Sequence, residues 1–185
     1  EKIGATGGSA GASISLWIAF HDDLADPKSE EKVARESTRI TAAVVTAAQS
    51  SIDPRFIQEL FNTDQVDSAL LPLFGMKGPE DINDKAFHPL FEEASPLNHL
   101  TRDDVPVMVY YNQPNKPLQP NSSGPEHIHH PKFGIVLKEK MKEKGLECHL
   151  LLKEDHPREP TDKFVTFFIE NFSEKTGDEL KDGAK

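Results

Sequence analysis

A single hydroxyl stands among small residues near the start of the chain, in Gly7-Gly8-Ser9-Ala10-Gly11. The run fits G-x-S-x-G, a pattern that puts serine on a sharp turn between a strand and a helix, with its hydroxyl projecting from the top of the sheet. The flanks agree. KIGAT (2–6) reads as a short strand, and residues 10–21 as a helix that is apolar on nearly every face and therefore buried. The chemistry open to such a group is nucleophilic. Ser9 attacks a carbonyl carbon, the Ala10 N–H faces the developing oxyanion, and the helix N-terminus adds the positive end of its dipole. Gly7 and Gly11 are expected where larger side chains would collide with the adjoining strand and helix. Two other uses of a glycine-rich turn fit less well. A phosphate cradle lacks its closing Lys-Ser or Lys-Thr pair, and a dinucleotide-binding oxidoreductase fingerprint fails where Ser13 replaces the last glycine, with no Tyr-x-x-x-Lys downstream.

The elements that must hold this turn follow from period and punctuation. ITAAVVTAAQSSI (40–52) reads as a second strand, and Asp53-Pro54 as the N-cap and first-turn pair of a helix, PRFIQELF (54–61). Short helical pieces, DSALLPLF and KAFHPLFEEA, break up residues 62–100 and suggest a helical insertion over about 54–98. PVMVYY (106–111) is a third strand, continuous and apolar as parallel sheets require. A proline-rich loop spans 112–131. PKFGIVLKEKMKEKG forms an amphipathic helix, ECHLLL a fourth strand, and TDKFVTFFIENFSEK a final helix before a frayed tail at 176–185. This alternation predicts one α/β domain over 1–185, with a mostly parallel sheet and flanking helices. Working residues then belong to the loops beyond the carboxyl ends of the strands.

The totals narrow the partners. A formal net charge of -10 argues against nucleic acid or an anionic membrane. The longest apolar run near the start, ISLWIAF, stops at His21-Asp22-Asp23, too short to span a bilayer. Cys148 is the lone cysteine and is expected to be a buried structural thiol, which leaves redox compartment and localisation open. His127, His129 and His130 crowd the long loop, where loop and capping roles outweigh a metal site. No metal and no organic cofactor is expected, and oligomeric state is not legible.

Taken together, TGGSAGA (6–12), ASPLNHLTRDDVPVMVYY (94–111) and the order strand, loop, helix, strand, histidine resemble the α/β-hydrolase esterases and lipases, in particular the acetyl-esterase and feruloyl-esterase-like group. The resemblance implies a serine hydrolase of carboxylic esters with small-molecule substrates and chain order Ser, acid, His. It therefore implies His156, after the last strand, as general base. The acid position falls on Asn115, an amide that can orient an imidazole but cannot supply charge, so Asp53 and Glu126 stand as alternative acids. A catalytically impaired relative serving as a binding protein is the competing reading. The resemblance further implies that the first strands of a larger sheet, with a second oxyanion loop, lie outside this chain. Little activity is then expected of residues 1–185 alone.

Overall fold

The computed structural model describes residues 2–119 and 122–173. Four parallel strands form one sheet in chain order: β1 (Gly4–Gly8), β2 (Ala42–Thr46), β3 (Val107–Tyr111) and β4 (Cys148–Leu152). Parallel neighbours need crossovers, and helices supply them. α1 (Ala10–Phe20) follows β1, and α2 (Pro54–Phe61), α3 (Leu70–Phe74), α4 (His88–Glu93) and α5 (Pro96–His99) lie between β2 and β3. α6 (Gly124–Ile128) and α7 (Lys132–Lys144) join β3 to β4, and α8 (Thr161–Phe172) closes the described fold.

Strand alternation divides the core into two layers. Ala43, Val45, Val107, Val109 and Tyr111 pack on one face with Ala12, Leu16 and Phe20 of α1 and with Phe133, Leu137 and Met141 of α7. The α7 residues recur every fourth position, which lines them up on one side of the helix. Ala42, Val44 and Met108 point the other way, against Phe167, Phe164 and Phe168 of α8. The central strands β2 and β3 are buried on both faces, whereas β1 lies at an edge and is largely exposed.

The sequence reading finds all four strands and the long helices, but β1 runs Gly4–Gly8 where 2–6 is expected, and the reading overruns at 40–52. Only Ala42–Thr46 joins the sheet. Ala47 adopts φ 52°, ending the strand, and the chain then crosses the sheet rim through a buried polar loop. An apolar run does not by itself distinguish a strand from a buried loop. The long loop also contains α6, which begins with a Ser123–Glu126 capping box. Asp53 caps α2 as expected, its carboxylate accepting from Arg55 N–H. Cys148 is partly buried, and that burial pushes its thiol up to about 12, so it stays protonated and inert at neutral pH. The predicted tail at 176–185 lies outside the described residues.

The two glycines of the opening turn have different reasons. A Cβ on Gly7 would fall 2.4 Å and 2.5 Å from the carbonyl carbon and oxygen of Gly11, whereas a Cβ on Gly11 meets nothing within 4 Å. The expectation that both avoid clashes is thus corrected for Gly11. Gly7→Ala is expected to destabilise the protein by about 3 kcal/mol. Gly11→Ala, inside a helix with room to spare, is expected to stabilise it by roughly 0.5–1 kcal/mol. Urea unfolding of the two variants measures both signs.

Candidate active site

Ser9 sits between the last residue of β1 and the first of α1 with φ 52° and ψ -120°. Positive φ is rare for a side chain other than glycine, and this ψ lies outside even the left-handed helical well. Hydrogen bonds on both sides hold it there. Ser9 N–H donates to the Thr46 carbonyl of β2 at 3.0 Å, while its own carbonyl accepts from Ala12 at 2.9 Å and Ser13 at 3.0 Å. Such a conformation costs on the order of 1–3 kcal/mol and persists only when its surroundings over-determine it. The result is a hydroxyl lifted off the sheet at the N-terminal end of α1, which is not buried all round as its apolar faces suggested: Ala12, Leu16 and Phe20 enter the core while Ile14 is 60% exposed.

That hydroxyl has a partner. Ser9 Oγ lies 2.7 Å from His129 Nε2. The histidine brought to Ser9 is His129, from the connection between β3 and β4, and not His156, which chain order alone implied. His156 stays in the turn after β4, where its N–H donates to Leu152 O at 2.9 Å and its carbonyl accepts from the Tyr110 hydroxyl at 3.0 Å. A rule of chain order ranks loops, but α6 shortens the long loop and delivers the residue after it, His129, to the serine.

The three histidines of the loop diverge. His127 Nδ1 donates to Ser123 O at 2.8 Å, and His129 turns to Ser9. Both nitrogens of His130 are engaged: Nε2–H donates to Lys116 O at 2.8 Å and Nδ1 accepts from Lys132 N–H at 3.1 Å. That pattern requires a neutral ring, and burial lowers the His130 pKa below its ordinary value.

The candidate acids sit elsewhere. Asn115 is exposed, its N–H donating to the Glu154 carboxylate at 2.8 Å. Asp53 is taken up by the α2 cap and by Arg55, whose Nε lies 3.0 Å from Oδ1. Glu126 is exposed and accepts from the Ser123 N–H and hydroxyl, which lowers its pKa. Among the described residues no carboxylate hydrogen-bonds to the His129 ring. Ala10, exposed at the first position of α1, presents its N–H beside Ser9.

Gln49 is the residue that sequence reasoning missed. It is buried, and its amide spans the gap between the serine helix and the histidine segment. Oε1 accepts from Ser13 Oγ at 2.7 Å, and Nε2 donates to Ile128 O at 2.6 Å and to Ala47 O at 3.1 Å. Ile128 immediately precedes His129, and Ser13 lies one helical turn from Ser9. A glutamine in an AAQSS run was the available signal, since a buried amide must find several partners.

Two clefts open at Ser9. One, of ≈ 430 Å³, is walled chiefly by Ile14, Trp17, Ile57, Leu70 and Leu73, with Ser13 and Gln49 at its base. The other, of ≈ 490 Å³, lies over the strand ends between Ser9, Thr46, Asn112, Gln113 and His129.

No family model and no curated protein matches the chain. Solved structures do. The chain is similar to an acetyl ester-xyloside bifunctional hydrolase from Caldicellulosiruptor lactoaceticus, with TM-score 0.64 and 17% identity, covering 91% of this chain and 56% of that one. A truncated carbohydrate esterase from gut microbiota aligns with TM-score 0.55 and 15% identity over 92% of this chain and 60% of its own. A propionate-bound thermophilic esterase from the Planctomycetes species Thermogutta terrifontis gives 0.52 and 17%, over 91% and 55%. What the chain shares with these esterases is the fold. It spans little more than half the length of each.

Gln49→Leu would leave the Ile128 and Ala47 carbonyls without their buried donor, at a cost of about 1–3 kcal/mol. Any chemistry at Ser9 is expected to fall about 10²-fold with it, because small misplacements of reacting groups are costly. Comparing urea midpoint and turnover in this variant checks both effects. Acid should act through His130. Its folded-state pKa lies below the unfolded value of about 6.5, so its contribution is complete above that pH and is lost as pH falls towards the folded value. His130→Asn should flatten the pH dependence of the unfolding midpoint below about pH 6.5.

Proposed function

We propose that this protein hydrolyses carboxylic esters through Ser9 as nucleophile and His129 as general base. The observation that carries the reading is the 2.7 Å contact between Ser9 Oγ and His129 Nε2 on a backbone turn that exposes the hydroxyl at a helix N-terminus. This is the local geometry of a nucleophile elbow, and the esterase fold of the structural neighbours supports it.

In the first step His129 Nε2 takes the Ser9 proton as Oγ bonds to the ester carbonyl carbon. The carbonyl oxygen becomes an oxyanion beside the Ala10 N–H. Collapse breaks the bond to the alkoxy oxygen, which leaves as an alcohol with the proton from His129. Water then repeats the sequence on the acyl-serine, releasing the acid and restoring Ser9. The cleft next to Ser9 suits a short acyl chain or small aromatic acyl group, since Ile14, Trp17, Leu70 and Leu73 supply apolar walls and Asp67 in the same lining disfavours an anionic one.

A second reading rests on one observation: the His129 ring donates to no carboxylate among the described residues. In that case the imidazolium formed in the first step goes unsupported, and the protein binds esters without turning them over quickly.

A fluorophosphonate probe is expected to label Ser9, and His129→Ala to lower hydrolysis of a short-chain nitrophenyl ester by about 10³-fold. His156→Ala and Asn115→Asp are expected to leave the rate within about twofold, as neither residue contacts the pair. Absent labelling of folded protein sinks the hydrolase reading. Labelling with negligible turnover selects the binding protein. Loss of activity in His156→Ala with retention in His129→Ala returns the base to His156.

A further inference from the structure

The far end of α1 carries a second cluster of side chains that the ester chemistry does not use. His21, the residue that ends α1, packs its ring on Trp17 at 4.1 Å between centroids and on His99 at 4.6 Å. Glu93, the last residue of α4, comes alongside. One ligand atom from each of His21, Glu93 and His99 lies within 4.8 Å of the other two.

The proton positions in this cluster follow from its backbone partners. His21 Nδ1 is 2.9 Å from the Asp22 carbonyl, and His99 Nε2 is 2.7 Å from the Glu93 carbonyl. A carbonyl only accepts, so both of those nitrogens carry the proton. In the neutral rings His21 Nε2 and His99 Nδ1 are therefore left with bare lone pairs. His21 Nε2 faces Glu93 Oε1 at 3.4 Å. Two acceptors turned towards each other at that distance need a cation or a proton between them. Tetrahedral zinc, with its ligands at roughly 2.0–2.2 Å, sets neighbouring nitrogen and oxygen ligands about 3.4 Å apart.

Orienting bonds to backbone carbonyls are also what metal-binding histidines use to hold tautomer and ring direction. The Glu93 carbonyl is itself held, receiving Trp17 Nε1 at 2.8 Å as well as His99. We propose that His21, Glu93 and His99 form a binding site for one divalent transition-metal ion of the zinc class, with the remaining position left to water. Two imidazoles and a carboxylate favour such an ion over calcium or magnesium. Bound there, it ties the end of α1 to the α4–α5 segment, which contributes Ala94 to the apolar cleft. Its role is structural, a full helix length from Ser9.

The chain contains one tryptophan, Trp17, which stacks on a proposed ligand and also lines the cleft beside Ser9, so quenching is assigned to this site by its weakening in Glu93→Gln and its persistence in Ser9→Ala. Co²⁺ titrated into chelator-stripped protein should quench that fluorescence saturably at one equivalent. Zn²⁺ should compete, and calorimetry should give the same stoichiometry for Zn²⁺ alone. Glu93→Gln keeps the backbone carbonyl and alters an exposed side chain, so circular dichroism should be unchanged while affinity drops at least about tenfold. His99→Asn should weaken binding similarly. Ser9→Ala should bind metal like the wild type, which separates this proposal from the fate of the esterase reading. Quenching that never saturates below about millimolar Co²⁺ overturns it and leaves a protonated His21–Glu93 ion pair. Stoichiometric Zn²⁺ binding that survives Glu93→Gln and His99→Asn together also overturns it, by placing the metal elsewhere.

Discussion

The backbone of one residue carries the architecture around it. Ser9 is held at positive φ because β1 must hand the chain to α1 without a loop, and the Thr46 carbonyl of β2 fixes the N–H while the first turn of α1 fixes the carbonyl. Everything near it adapts to that turn. Gly7 has no side chain because the Gly11 carbonyl occupies the space where its Cβ would be. The strain persists because it is local and over-determined: the Thr46 carbonyl belongs to β2, which is buried on both faces, and Ala12 and Leu16 anchor α1 in the core.

Around this turn the carboxyl rim of the sheet is built from polar groups that are buried and satisfied. Ser95 Oγ donates to Phe91 O and accepts from the N–H groups of Ile52 and Asp53 and from the Ser51 hydroxyl. The Ser50 hydroxyl reaches Phe133 O, and the Tyr111 hydroxyl reaches Ala48 O at 2.6 Å. Among the described residues no buried side-chain nitrogen or oxygen lacks a partner. A network of this kind is rigid because each broken bond strands another group in a low-dielectric setting. Gln49 belongs to it, so the separation of Ser9 from His129 is set by the same bonds that hold the loop. The histidine comes from a short helix on a proline-rich connection, yet it is placed by a side chain on the central strand's own exit loop.

Much of this was legible in the residues. Continuous apolar runs bounded by Gly, Pro and charge marked β3 and β4, an amphipathic run opened by a proline marked α7, and Gly145 marked its end, where φ is 79°. The serine turn was legible because so few sequences tolerate that backbone. The base was not. Among eight histidines the chain offers no local cue that favours His129, and a chain-order rule pointed to His156. Nor did the residues around Asn115 tell that its loop turns outward, where its N–H donates to Glu154.

Local patterns therefore marked the strands, the long helices and the one hydroxyl set on a strained turn, since each depends on neighbours a few positions away. Which imidazole meets that hydroxyl, which amide braces the pair, and that His21, Glu93 and His99 converge were decided only by the tertiary structure. Those contacts join positions 36 to 120 residues apart, or rest on a loop folding back across the sheet rim, and no periodicity in a chain encodes where two such segments cross.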